Sequence, residues 1–255
     1  MDISGTAAIV TGAASGLGAA TAALLTEKGA TVYGLDLASS IDRAGDSAPA
    51  GVTLIATDVT SDSDVTAAVD QVSASEKPLR ITVNCAGVGW AGRILSKQGP
   101  HDLELFRTVV TVNLIGTFNV MRLAAQAMAE TTPIDDFGQR GVIVNTASVA
   151  AFEGQVGQIA YSASKGGVHG MTVPAARDLA QFGIRVNTIA PGIVDTPMLA
   201  GVTEEYRKGL SAGVPFPRRL ALPAEFAQLT TMIIEHDYLN GETIRMDGAL
   251  RMAPR

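Results

Sequence analysis

The chain has one cysteine, Cys85, in 255 residues. A single thiol closes no intrachain disulfide and excludes a cluster of cysteine metal ligands. Histidine is nearly as scarce. His101, His169 and His236 stand far apart and match no metal-ligand spacing, so no metal site is expected. Charged residues make up 17 %, the net charge is −6, and no dense Lys/Arg block occurs. Those features speak against nucleic acid as a main partner. The opening MDISGTAAIV carries an acid and no basic n-region, so it does not read as a secretory signal. No continuous apolar run approaches the ~20 residues of a membrane span. No membrane partner is expected, and the expected location is cytoplasmic, or matrix-like after loss of a targeting segment.

Apolar residues are plentiful at 47 %, enough for a substantial core. Short β-branched runs alternate with longer Ala/Leu-rich segments. Strand candidates are Thr6–Val10, Thr31–Leu35, Val52–Ala56, Arg80–Val83, Gly141–Asn145, Gly183–Ile189 and Thr243–Met246. Helical patterns run over Gly16–Lys28, Ser61–Ser75, Leu103–Met128 and Tyr161–Phe182, with a kink expected at Pro174. Such alternation predicts an α/β fold: a doubly wound, seven-stranded parallel sheet of Rossmann type, with helices on both faces. No segment has linker composition, so residues 1–255 read as one domain. The stretch Pro197–Pro223, rich in Gly, Pro and charge, reads as a mobile flap over a site.

Residues 11–18, TGAASGLG, follow the first strand and open the first helix. A helix N-terminus offers unpaired N–H groups and partial positive charge to a pyrophosphate. Gly12, Gly16 and Gly18 remove side chains that would hold it away, and Ser15 and Leu17 lie in the same turn. Asp36 ends the second strand, where a carboxylate can accept from ribose hydroxyls and would repel a 2′-phosphate. Neither Ser15 nor Leu37 supplies a positive charge for such a phosphate. NAD is therefore the expected cofactor. Asp58 and Val59, after the third strand, are placed to border the adenine; Asp58 reads equally as a helix cap.

The segment AYSASK sets Tyr161 one helical turn from Lys165. A free phenol titrates near pH ~10, and an adjacent ammonium could lower that. Ser148 ends the fifth strand in NTAS. Asn113 lies in the middle of an apolar helical pattern, TVVTVNLIGTF, where asparagine is a poor helix former.

These residues, with Asn84-Cys85-Ala86-Gly87 and Pro191-Gly192, make the chain resemble a short-chain dehydrogenase/reductase. The motifs span nearly the whole chain in that family's order. One departure is Cys85, where the family often has a second Asn; it reads as a small residue under the cofactor. The resemblance implies Tyr161 as general acid/base and Lys165 as binder of the nicotinamide ribose that lowers the phenol pKa. It implies Ser148 as holder of the substrate oxygen, and Asn113 as support for a water relaying protons to Lys165. It also implies cofactor contacts at Cys85, Ala86, Gly87, Pro191, Val194 and Thr196. Gln155 and Gln158 are candidate substrate residues. Lys208, Arg218 and Arg219, near the flap, read first as solvated surface and second as contacts for CoA phosphates.

Within the family, RGVIVNTASVAAFEGQVGQIAYSASKGGV, GVPFPRRL and YLNGETIRMDGALRM resemble the type II 3-hydroxyacyl-CoA dehydrogenases. That implies hydride transfer between NAD(H) and the 3-hydroxy/3-oxo carbon of an acyl-CoA, and assembly as a homotetramer. The alternatives are a hydroxysteroid or other secondary-alcohol dehydrogenase on the same scaffold, and a non-catalytic NAD-binding scaffold. The short insert Arg93–His101 has no assigned role.

Overall fold

The structure, a computed structural model, describes residues 1–199 and 203–254. The elements run β1 (Ala7–Thr11), α1 (Gly16–Glu27), β2 (Thr31–Asp36), α2 (Ala38–Ala44), β3 (Thr53–Ala56), α3 (Asp62–Ser73) and β4 (Leu79–Asn84). A small hairpin, β5 (Leu95–Ser96) and β6 (Gly99–Pro100), precedes α4 (Leu103–Val110) and α5 (Thr117–Ala129). Then come β7 (Gly141–Thr146), α6 (Ile159–Ala180), β8 (Ile184–Pro191), α7 (Glu204–Ala212), α8 (Pro223–Glu235) and β9 (Thr243–Met246).

Seven strands form one parallel sheet in the order β3-β2-β1-β4-β7-β8-β9. The doubly wound fold is as expected. Every residue of β1, β4, β7 and β8 is buried, which is why these strands read as near-continuous apolar runs. Alternation of side chains across the sheet feeds two cores. Ala7 and Ile9 of β1 face the layer of Val65, Val69, Val120, Met128 and Ala176, from α3, α5 and α6. Ala8 and Val10 face the layer of Ala22, Leu25, Phe226 and Ile233, from α1 and α8. The chain winds in opposite directions from β1 and from β4. The crevice at their carboxyl ends is the topological switch point, where open α/β sheets bind ligands.

Three differences from the sequence reading have physical reasons. The pattern Leu103–Met128 is not one regular helix: Thr111–Gly116 form a π turn between α4 and α5. Apolar periodicity cannot register one inserted residue. Leu103–Ala129 is also a continuous 27-residue helical stretch of mean hydropathy 1.3, long and apolar enough to cross a membrane, contrary to expectation. Half of it is buried within the fold, as in a core helix, and its scattered polar residues hid its length from a search for unbroken apolar runs. Finally, the stretch expected as a flap contains a 3-10 turn at Pro197–Leu199 and α7, while residues 200–202 lie outside the described residues. Helices α2 and α8 were not anticipated.

Candidate active site

Two loops meet at the switch point. After β1 the chain turns at Gly12 (φ +66°), and a Cβ there would lie 2.9 Å from the Ala86 nitrogen. Thr11 Oγ1 accepts from the backbone N–H groups of Cys85 and Ala86, both at 3.0 Å. That bond staples the loop after β4 to the loop after β1. Gly18 is closer still: a Cβ would stand 2.2 Å from the Gly12 carbonyl oxygen. Gly16 has φ +56° and faces Thr196, whose side chain would lie 3.6 Å from an added Cβ. Ser15 occupies the N-cap of α1 without making a side-chain cap bond, and the first turn holds no acid. A bare helix N-terminus behind a glycine cradle fits a dinucleotide pyrophosphate.

Asp36 is held over this cradle. Its Oδ2 accepts from Ala14 N at 2.9 Å and its Oδ1 from Leu37 N at 2.8 Å. Asp58 does not cap α3. Its Oδ1 accepts from the Thr60 N–H and hydroxyl, while Ser61 caps α3. Val59 is buried beside Gly116, and its carbonyl accepts from Asn119 Nδ2 at 3.0 Å. Pro191 ends β8, and Val194 is buried in a bridge to Ala221.

On the other side of the crevice, Ser148 caps the turn Val149–Ala151, its Oγ accepting from Ala150 N at 3.1 Å. Its proton therefore remains available for donation. The Ser148 hydroxyl interacts with the Tyr161 phenol. Burial raises the phenol pKa above its ordinary value, and the Ser148 hydrogen bond opposes that rise. Lys165 is 4 % exposed, and its Nζ donates to the Thr146 carbonyl at 2.7 Å, at 5.9 Å from the Tyr161 ring centroid. Burial lowers its pKa to about 8. The phenol's net shift therefore runs opposite to the lowering expected from the ammonium. Here the lysine points at a backbone carbonyl, and desolvation governs both groups. Burial likewise pushes the Cys85 thiol up to about 12, so it is no nucleophile.

The buried ammonium has a consequence for stability. Unfolded, Lys165 titrates near 10.5. Below pH 8 both states hold the proton, and the folded state carries the desolvation cost in full. Between about 8 and 10.5 only the unfolded chain is protonated, so this contribution to stability rises with pH. Relative to Lys165→Met, the wild type should gain about 3 kcal/mol across that window in urea unfolding. A difference independent of pH would contradict the assignment.

Asn113 sits in the π turn, fully buried. Its Oδ1 accepts from Val88 N at 2.8 Å, and its Nδ2 donates to Val88 O at 2.9 Å and Ser164 Oγ at 3.0 Å. Both side-chain N–H groups are spent. A water could reach it only at a spare lone pair of Oδ1 or at the backbone carbonyl, which already accepts from Thr117 Oγ1.

A groove of about 470 Å³ opens between the hairpin segment and the loop before α6, lined by Arg93, Ile94, Leu95, Val156 and Ile159 among others. Gln155 and Gln158 line it too, but Gln158 Oε1 accepts from Gln155 N, and Gln155 Nε2 donates to Ala253 O. Arg219 is committed elsewhere, in a two-pronged pair with Glu225 at 2.8 Å that holds the carboxyl down at about 2. Lys208 and Arg218 are exposed. Ser164 and the Thr146 carbonyl were not anticipated. A serine inside a helix and a backbone acceptor carry no motif of their own.

The sequence profile described as short chain dehydrogenase matches residues 6–207. A curated protein from Bos taurus named 3-hydroxyacyl-CoA dehydrogenase type-2 is 53 % identical, over 99 % of this chain and 97 % of its own. The Homo sapiens protein of the same name is 52 % identical over the same shares. A crystal structure of 3-hydroxyacyl-CoA dehydrogenase type-2 from Mycobacterium avium superposes with a TM-score of 0.90 at 41 % identity, covering 98 % of both chains.

Proposed function

Since the chain belongs to the short chain dehydrogenase family, and is therefore an oxidoreductase built for a nicotinamide cofactor, we propose that it is an NAD-dependent 3-hydroxyacyl-CoA dehydrogenase. The observation that carries the substrate class is the 53 % identity, across nearly all of both chains, to a protein named for that activity. NAD follows from Asp36, whose carboxylate stands at the end of β2 where a 2′-phosphate would meet like charge. When bound, the cofactor supplies the hydride chemistry.

The chain's own residues then have distinct tasks. Gly12, Ser15, Gly16, Leu17 and Gly18 present the N-terminus of α1 to the pyrophosphate, with Ala86 and Gly87 across the crevice. Tyr161 gives its proton to the carbonyl oxygen during reduction and takes it back from the hydroxyl during oxidation. Ser148 donates to the same oxygen and fixes its position. Lys165 holds a buried positive charge near the phenol. Its Nζ is anchored at the Thr146 carbonyl, on the side of the crevice where Gly87 lies. The apolar groove beside Ile94, Leu95, Val156 and Ile159 would receive the acyl portion. Exposed apolar side chains on the long helix and α6, including Ile115, Phe118 and Val173, suit burial in a homotetramer.

The test is loss of NADH absorbance with acetoacetyl-CoA. Rapid oxidation of NADH, weak with NADPH, is expected. If short and medium 3-oxoacyl-CoA esters are all inert while NADH binds, the substrate reading fails. Turnover of hydroxysteroids under those conditions would move the assignment to secondary alcohols.

A further inference from the structure

The residue between Ala163 and Lys165 has no part in the proton transfer described above, yet it occupies the junction of the site. Ser164 is fully buried on α6. Its Oγ donates to the Tyr161 carbonyl at 2.8 Å, so its lone pairs face outward from the helix axis and accept from Asn113 Nδ2 at 3.0 Å. The remaining polar groups of the Asn113 side chain engage only Val88, with both its N–H and its C=O. Val88 continues the loop that carries Cys85, Ala86 and Gly87. A Cβ at Gly87 would lie 3.0 Å from Asn113 Oδ1 and 3.7 Å from Lys165 Nζ. Asn113 thus ties its own π turn and the loop after β4 to the Ser164 hydroxyl on the helix bearing Tyr161 and Lys165.

We propose that Ser164 is a positioning residue: its hydroxyl locks the Asn113 turn and the Val88 loop to the helix that carries Tyr161 and Lys165, holding that pair in register for proton transfer. This rests on the reading of Tyr161 and Lys165 given above. A hydroxyl that served packing alone would be dispensable. Alanine is smaller and the better helix former, and a helical serine bonded back to its own helix is mildly unfavourable. Removing it here instead leaves a buried Asn113 N–H without a partner. The amide recovers that bond only by turning away from Val88, which releases the loop beside Lys165.

The experiment compares Ser164→Ala, Ser164→Thr, Asn113→Ala and the Asn113→Ala/Ser164→Ala double variant in the full chain. Turnover of acetoacetyl-CoA with NADH gives kcat and KM, fluorescence gives the NADH Kd, and hydrogen exchange follows the Val88 amide without cofactor. Ser164→Ala should lose roughly tenfold or more in kcat, with KM and Kd within about twofold. Val88 should exchange faster, Ser164→Thr should recover most of the rate, and the double variant should be no slower than Asn113→Ala. Wild-type kcat in Ser164→Ala, or additive losses in the double variant, would overturn the proposal. Should the wild type leave acetoacetyl-CoA unreduced, the substrate reading fails and the exchange arm still decides: unchanged Val88 protection refutes the lock. If Ser164→Ala does not fold, Ser164→Cys, with a weaker donor and acceptor in similar volume, carries the same comparison.

Discussion

Tyr161→Phe should lower kcat in both directions by about 10³-fold or more while leaving the NADH Kd within about twofold. The ring, its burial and its packing are retained, and one hydroxyl is lost. Among the described residues no other titratable side chain is placed to replace it. Lys165 Nζ is engaged at Thr146, and the Ser148 hydroxyl is an alcohol that can donate a hydrogen bond but does not titrate. The direction of the phenol's shift adds a pH signature. Raised by burial, Tyr161 holds its proton at neutral pH and is ready to act as the acid in reduction. Oxidation needs the phenolate, so kcat for oxidation should climb with pH throughout while reduction stays level, because the phenol titrates above its ordinary value. Steady-state rates in both directions across pH 6 to 10 would check this. A Phe variant that retained more than about a tenth of the activity would remove Tyr161 from the proton step.

Sequence carried the sheet because central parallel strands are buried on both faces and leave a nearly unbroken apolar signature. It also carried the crevice. Glycines that a Cβ would drive into backbone, as at Gly12 and Gly18, are legible as spacing between a strand and a helix. What it missed was of another kind. The π turn at Thr111–Gly116 depends on Asn113 reaching Val88 and Ser164, which are distant in sequence. The direction of the Tyr161 shift depends on desolvation, and spacing says nothing about that. Tyr-x-x-x-Lys guarantees one helix face but not the target of the ammonium, which found the Thr146 carbonyl. Arg219 looked like a free cation because Glu225, six residues away, gives no sequence sign of a two-pronged pair. Helix α7 was hidden by the Gly/Pro-rich composition around it.

The second large effect concerns cofactor choice. Asp36→Ala should shift the ratio of kcat/KM for NADH over NADPH by about 10² toward NADPH, since juxtaposed like charges cost several kcal/mol in a partly desolvated site. The carboxylate is not loose: Ala14 N and Leu37 N each occupy one oxygen, so it meets an incoming ribose already oriented, with lone pairs to spare. Alanine also deletes those two acceptors and frees the glycine loop, which would weaken NADH for a reason unrelated to charge. Asp36→Asn separates the two effects. It keeps one acceptor and removes the charge, so it should recover much of the selectivity shift with a smaller rise in the NADH KM. Leu37→Arg alone should do little, because Asp36 would pair with the new guanidinium. In Asp36→Ala/Leu37→Arg the freed guanidinium can meet the 2′-phosphate, and selectivity should move further toward NADPH. If all these variants keep the wild-type preference for NADH, the charge at position 36 does not decide which dinucleotide the crevice accepts.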